Sequence, residues 1–575
     1  VHEFKVWAPR PERVDVVLSG RRLPMHRRAD GWWTAQDVAA GPGTDYGFSL
    51  DEGPARADPR SCFQPSGSQR ASRLVDHGSF RWASDWHGRP LPGSVIYECH
   101  VGTFSPEGTF TGAIEHLPHL ADLGVAAVEL MPVAEFPGNR GWGYDAVNLF
   151  APHHRYGTPD DLKRLVDAAH GQGLAVIGDV VWNHLGPSDN YLAEFGPYFT
   201  DRYQTPWGEA VNFDGAGSAE VRRFVLDNAT MWLRDYRFDG LRVDAVHAIY
   251  DTSATHILAA LADEVKALAA HAGRPLYLIA ESDKNDPGIV APQAAGGHGL
   301  DSCWADDWHH AVHATLTGER SGYYSDYGSL PRLAKALRQA WVYDGEYSAF
   351  RDRIQGRSPA GLSGSQFVIC TQNHDQVGNR AAGDRTSALL SPARLKIAAA
   401  LLLTAPFTPM IFQGEEWAAA TPFPYFTDHA DPVLAEAVRT GRRSEFAAFG
   451  WNPADVPDPQ SPATFGQARL DWTELGKPAH ADVLTWYRDL IRLRRDTPAL
   501  TDPRFEHVTA TCDEAAGTLT IRRPGILIAL NLGTENWTCA VAQQATLLAA
   551  SDPRAYLSAE GLFVPPDSIA VAGLR

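Results

Sequence analysis

The stretch Gly240-Leu-Arg-Val-Asp-Ala-Val-His247 sets two charges inside a short apolar run. Leu241 and Val243 have strand character, and Arg242 and Asp244 stand at i and i+2. On a strand that spacing sends both side chains to one face. Burying so much charge is costly unless it is paired or put to use. A structural ion pair at a strand end fits, and so does a catalytic carboxylate held by a base. On this octapeptide alone the two readings stand level.

Outward from it, short apolar runs recur at 94–99, 125–131, 174–181, 276–281, 301–304, 366–372 and 408–412, with 240–244 among them. Amphipathic stretches lie between. Thr158-Pro-Asp-Asp supplies an N-cap, a first-turn Pro and acids at a helix start. Leu162, Leu165, Val166 and Ala169 then mark one face, and Gly173 closes the helix. Ile257, Leu258, Leu261, Val265 and Leu268 repeat the pattern, and Ser391-Pro-Ala-Arg opens another helix. Strands alternating with helices predict parallel βα units, and about eight of them predict a closed (β/α)8 TIM barrel of the α/β class.

Such a barrel carries its functional residues at the C-terminal ends of its strands. The polar residues obey this. Run 174–181 leads into Asp179-Val-Val-Trp-Asn-His184, 240–244 ends in Asp244, 276–281 in Glu281, and 366–372 runs into Asn373-His-Asp375. Acids and imidazoles at several strand ends favour catalysis over ion pairing. Two carboxylates flanking one bond are what glycoside cleavage needs. The apolar lead-in Leu276-Tyr-Leu-Ile-Ala280 and nearby negative charge would keep Glu281 protonated, as a general acid requires. Arg242 would keep Asp244 ionised. Asp375, with His374 beside it, can grip sugar hydroxyls. A catalytic metal on His184, His247, His374, Asp179 and Asp375 ranks low, because no local ligand spacing joins them; no metal and no cofactor are expected. Asp179 reads as a hydrogen-bond partner beneath the rim.

Composition sets further limits. The 575 residues exceed one ordinary domain, and 44% hydrophobic content supports a large core. A formal charge of −18 argues against nucleic acid as a partner. Tryptophan (17), tyrosine (18) and phenylalanine (24) suit a ligand with flat apolar faces and many hydroxyls, such as a sugar. The six cysteines have neither metal nor redox spacing, and Cys99, Cys303 and Cys370 read as buried thiols. No apolar run approaches the ~18 residues that cross a membrane, and a cytoplasmic location is expected.

The four ordered stretches around Asp179–His184, Gly240–Asp244, Glu281 and Asn373–Asp375 resemble the motifs of the α-amylase family of retaining glycosidases and transglycosidases. The resemblance implies Asp244 as nucleophile, Glu281 as general acid/base and Asp375 as transition-state stabiliser. It implies His184, Arg242 and His374 around the −1 sugar, Tyr144 of Trp142-Gly-Tyr-Asp145 as its stacking platform, and His247 on the leaving-group side. Read alone, Tyr144 in a glycine-rich loop is more often packing.

Glu98-Cys-His-Val-Gly-Thr-Phe-Ser-Pro-Glu-Gly-Thr-Phe110 resembles a barrel opening shared by the branching enzymes and the trehalose-releasing branch of that family. The loop running through Phe195-Gly-Pro-Tyr-Phe-Thr to Asp214 and the stretch Tyr343-Asp-Gly-Glu-Tyr-Ser-Ala-Phe-Arg351 look like the trehalose-releasing branch. The implied reaction is hydrolysis of the α-1,4 bond next to the terminal trehalose unit of maltooligosyltrehalose, with trehalose as product. An upstream maltooligosyltrehalose-forming synthase would be the functional partner. The alternatives are a 1,4-α-glucan branching enzyme and, further off, a non-catalytic glucan-binding protein. Discrimination should lie in the long loop insertions at 185–217 and 305–365.

Flanking regions read as β. Residues 1–90 show short, turn-punctuated strands that predict an immunoglobulin-like β-sandwich. Val6-Trp-Ala-Pro and Val14-Asp-Val-Val resemble the immunoglobulin-like, carbohydrate-binding-like module ahead of the barrel in glycogen-branching, debranching and trehalose-forming enzymes. Trp32 and Trp33 read as core or interface residues. The barrel is expected over 91–497 and an antiparallel β-sandwich over 498–575.

Overall fold

The computed structural model describes residues 1–445, 449–541 and 544–575. Eight parallel strands close a barrel: β1 (Ile96–Cys99), β2 (Ala127–Leu130), β3 (Ala175–Val180), β4 (Gly240–Val243), β5 (Tyr277–Ala280), β6 (Ser302–Trp304), β7 (Phe367–Cys370) and β8 (Thr408–Phe412). They follow one another around the ring, and β8 returns to β1. Each falls on one of the apolar runs of the sequence. Almost all of their residues are buried because helices cover the outer face and the barrel fills itself within.

The expected helix signals are used. Thr158 caps the helix Pro159–Gly171 in a reciprocal capping box with Asp161. Ser391 caps Pro392–Thr404 by accepting from the Arg394 amide. Helix Ile257–Ala272 ends at Gly273 in the left-handed conformation. Among the described residues no helix is long and apolar enough to cross a membrane. The six cysteines are free thiols, with Cys99, Cys303 and Cys370 buried.

Antiparallel sheets flank the barrel on both sides. At the N-terminus, His2–Trp7 pairs with Trp32–Asp37, and Val14–Leu18 pairs with Arg21–Pro24 and Asp45–Leu50. Phe4, Val6, Val14, Val16 and Phe48 fill the space between them. Trp33 is buried and donates to the Ala8 carbonyl at 2.8 Å, so it is a packing residue. At the C-terminus a five-stranded and a three-stranded sheet stack, and Arg523 docks them by donating to the carbonyls of Thr404 and Leu500.

The long segments at the barrel mouth are folded. Segment 305–365 is not a bare loop: it holds helices Asp306–Thr317 and Leu330–Gln339 and the hairpin Glu346–Ser348/Arg353–Gln355. The buried carboxyl of Asp307 organises it, accepting from the amides of Val342 and Tyr343 (both 2.8 Å) and from Asn285 Nδ2 (2.7 Å). Segment 185–217 forms helix Leu192–Phe195 and the hairpin Phe199–Thr205/Gly208–Val211. The N-terminal sheets brace it: Arg56 grips Glu194 at 2.7 and 2.8 Å, and the Trp7 and Tyr198 rings meet edge to face. A third excursion, 131–157, pairs Ala134–Glu135 with Asn148–Pro152 and carries Tyr144 at its tip.

Packing inside this frame leaves little slack. A Cβ added at Gly178 on β3 would lie 2.4 and 2.6 Å from ring atoms of Phe238. Gly178→Ala should therefore destabilise the barrel by roughly 1–3 kcal/mol through overpacking. A lowered thermal midpoint by calorimetry is the expected result, and adding Phe238→Leu should restore part of it.

Candidate active site

Arg242 and Asp244 project into the barrel mouth from β4 and its end. The Arg242 side chain is fully buried. Its Nη1 lies 2.9 Å from both oxygens of Asp179 on the neighbouring β3, and 2.8 Å from Asp244 Oδ1. Its Nη2 faces Glu281 Oε2 at 3.9 Å. The Trp304 ring lies against the guanidinium, with Cζ 4.2 Å from the ring centroid. Asn183 completes the hold on Asp244, donating to Oδ2 at 2.7 Å and to the backbone carbonyl at 2.9 Å. Both carboxylate oxygens of Asp244 thus accept a hydrogen bond.

Glu281 follows β5 and stands beside this pair. The chain turns at Ala245 with φ of 39°, a left-handed conformation unusual for alanine. The turn costs on the order of 1–2 kcal/mol. It aims the Ala245 amide at Glu281 Oε2, 2.6 Å away. Burial, with repulsion from Asp244, Asp306 and Asp375, pushes Glu281 up to about 8 despite Arg242. Burial likewise lifts Asp179 to about 7 against the pull of Arg242.

Tyr144, His374 and His184 line one side. Tyr144 donates to Asp179 Oδ2 at 2.5 Å, and its hydroxyl lies 2.8 Å from His374 Nε2. Gly143 permits this reach: its φ is 100°, and a Cβ there would come within 2.4 Å of the Pro132 carbonyl oxygen. His374 is anchored from below by Glu98 on β1, which takes its Nδ1 at 2.5 Å and its amide at 3.0 Å. Burial opposes charge on this ring, yet Asp375 and Glu98 hold it up to about 9, an imidazolium at neutral pH. His184 contacts Asn183 through Nδ1 and the Tyr144 carbonyl through Nε2 at 2.8 Å, and burial lowers its pKa, so it is neutral. The indole of Trp207, from hairpin 199–211, stacks on His184 at 4.3 Å. Tyr144, His184, Trp207, Tyr425 and His429 line a cavity of about 230 Å³ beside the pair.

Asp375 and His247 sit at the rim. The Asp375 side chain is 40% exposed and lies 3.5 Å from His374 Nε2. His247 follows the Ala245 turn; burial lowers its pKa, against a smaller opposing effect of Asp283. Asp283 is held by Arg351 at 2.7 Å, from segment 305–365. The structure therefore brings Asp244, Glu281, Asp375, Tyr144, His184, Arg242, His247 and His374 to one mouth.

Other residues of the site were not assigned from the sequence. Asn183 and Glu98 stand inside quoted stretches, and an acid in the apolar strand Ile96–Cys99 was a readable signal. Asp306, just past β6, obeys the strand-end rule; burial and the charges of Asp375, Asp283 and Asp307 raise it to about 7. Glu129 sits opposite Glu98 in the β1–β2 register, fully buried with both oxygens unpartnered. Burial pushes it well above the usual carboxyl range, which makes it a neutral acid.

The barrel and the acid-lined rim define the α-amylase class of (β/α)8 proteins. A family model described as "Alpha amylase, catalytic domain" matches residues 63–205. The chain is 48% identical over 580 residues to malto-oligosyltrehalose trehalohydrolase of Rhizobium sp. (strain M-11), covering 99% of this chain and 97% of that one. A crystal structure titled putative alpha amylase from Salmonella typhimurium superposes with a TM-score of 0.91 at 38% identity, covering 99% of this chain and 97% of that one. Similarity to the 1,4-alpha-glucan branching enzyme of Rubrobacter xylanophilus is 38% over 274 residues, only 42% of this chain and 37% of that one. The chain belongs to the malto-oligosyltrehalose trehalohydrolase family.

The raised Glu281 has a stability consequence. Unfolded, a glutamate ionises near 4.3; folded, Glu281 holds its proton to about 8. The proton stabilises the fold fully below the unfolded value, and that contribution is lost as pH rises through the folded one. Glu281→Gln should therefore melt higher than the parent at pH 7.5, on the order of 1–3 °C. The difference should vanish toward pH 4, as read by scanning calorimetry.

Proposed function

We propose that this chain hydrolyses the α-1,4-glucosidic bond next to the terminal trehalose unit of maltooligosyltrehalose, releasing trehalose by retaining double displacement. The observation that carries the chemistry is one buried guanidinium with two carboxyls before it: Asp244 accepting from Arg242 and Asn183, and Glu281 held protonated. Asp244 attacks the anomeric carbon while Glu281 gives its proton to the glycosidic oxygen, and trehalose departs. Glu281, now a carboxylate, takes a proton from the water that cleaves the glycosyl ester. Asp375 and the His374 imidazolium grip hydroxyls of the flattening ring. Tyr144 is the platform under that sugar, His184 contacts it, and His247 faces the departing disaccharide.

The near full-length likeness to a trehalohydrolase supports this substrate over a branching acceptor. Aromatic side chains on the rim excursions support it too: Trp207 and Phe350 stand exposed at the mouth. An upstream enzyme that forms the trehalose-ended glucan is the functional partner. Six free thiols suit a reducing compartment, and we assign the reaction to the cytoplasm. Residues 1–90, 91–497 and 498–575 are taken as the sandwich, barrel and terminal β units.

Incubation with maltotriosyltrehalose should yield free trehalose, and amylose should acquire no branches; branching without trehalose release overturns the reading. Asp244→Ala should lower kcat by roughly 10³-fold or more while leaving the fold intact. For the parent, kcat/KM should fall on the alkaline side as pH passes through about 8, where Glu281 loses its proton. An alkaline limb that survives unchanged in Glu281→Gln would contradict that role.

A further inference from the structure

The excursion that carries Trp142 and Tyr144 is closed at its base by three side chains the catalytic chemistry does not use. Glu135 enters it, and His153 and His154 leave it. Glu135 Oε1 lies 2.9 Å from His154 Nδ1, and its Oε2 lies 3.4 Å from His153 Nδ1. Donor atoms from all three lie within 4.8 Å of one another. Glu135 and His153 are fully buried, while the His154 side chain is 15% exposed and opens a path to solvent.

An ordinary acid–imidazole pair accounts for only part of this. The His154 ring and amide both meet Glu135, the amide at 2.8 Å. His153 Nε2 has no partner and its Nδ1 reaches Glu135 only at 3.4 Å, although the ring is wholly buried. Phe136 stacks on that ring at 3.7 Å and fixes its plane, with Nδ1 turned toward Glu135. Leaving a buried imidazole nitrogen unmatched costs about 1–3 kcal/mol. Three donors on a tetrahedral ion with bonds of about 2.0–2.2 Å would sit roughly 3.3–3.6 Å apart; the two Glu135–imidazole separations, 2.9 and 3.4 Å, lie near that range. Two imidazoles and one carboxylate suit zinc and its neighbours, whereas calcium and magnesium take oxygen ligands.

We propose that Glu135, His153 and His154 bind one divalent transition-metal ion of the zinc class, which clasps the base of the excursion presenting Tyr144. The ion is structural: it joins the two strands of the excursion and takes no part in bond cleavage.

The test uses full-length protein stripped with a chelator and then given zinc chloride alone. About one zinc per chain should survive gel filtration, measured by elemental analysis, and the thermal midpoint should rise by several degrees. His154→Ala should weaken retention by roughly 100-fold and abolish the rise. His87→Ala, at an exposed histidine elsewhere, should change neither. Cobalt added to the unmutated protein should give the visible absorption of a tetrahedral nitrogen–oxygen site. Overturning results are absence of retained zinc, retention equal in His154→Ala, or no cobalt spectrum from the parent should the variant fail to fold.

Discussion

One buried guanidinium holds the mouth of this barrel together. Arg242 stands beside Asp179 and Asp244 and faces Glu281, with its guanidinium over the Trp304 ring. Several acids crowd the barrel mouth, and without a cation beside them fewer could carry charge. Removing one partner of such a buried pair costs about 3–5 kcal/mol, because the remaining charges lose their compensation. The same guanidinium also sets the chemistry. It pairs closely with Asp244 and only distantly with Glu281, so the two carboxyls meet different environments only a short distance apart.

That division depends on the strand ends and on a strained turn. Asp179 and Arg242 are register partners on β3 and β4, which places the ion pair by backbone geometry alone. Ala245 adopts a left-handed conformation to aim its amide at Glu281. Backbone strain beside reacting groups is sustained where surrounding packing over-determines it, and β4 and β5 are fully buried. Beneath them Glu98 and Glu129 add acids inside the barrel, one spent on His374 and the other neutral.

The barrel presents the chemistry, and the rim excursions surround it. Three of them converge on the mouth, one braced from outside and two tied by side chains of their own. The N-terminal sheets grip segment 185–217 through Arg56–Glu194 and Trp7–Tyr198. Asp307 folds segment 305–365 around one buried carboxyl. Glu135 with its two histidines closes the base of 131–157. The N-terminal β unit, peripheral in the chain, thus acts on the site by fixing segment 185–217.

The sequence by itself determined the eight barrel strands, the helix starts at Thr158 and Ser391, and the polar residues at the strand ends. These depend on local rules: apolar runs, capping residues and the fixed polarity of a parallel barrel. Asp244, Glu281 and Asp375 were legible because each follows an apolar strand, and Arg242 because a charge inside such a strand has few explanations. Tertiary structure alone decided the rest. It set which acid pairs with Arg242, that Asp306 and Glu129 join the electrostatics, that Trp207 stacks on His184, and that Glu135 meets two histidines almost twenty residues on. Those contacts join chain segments far apart in sequence, and burial and proximity have no periodicity that could announce them.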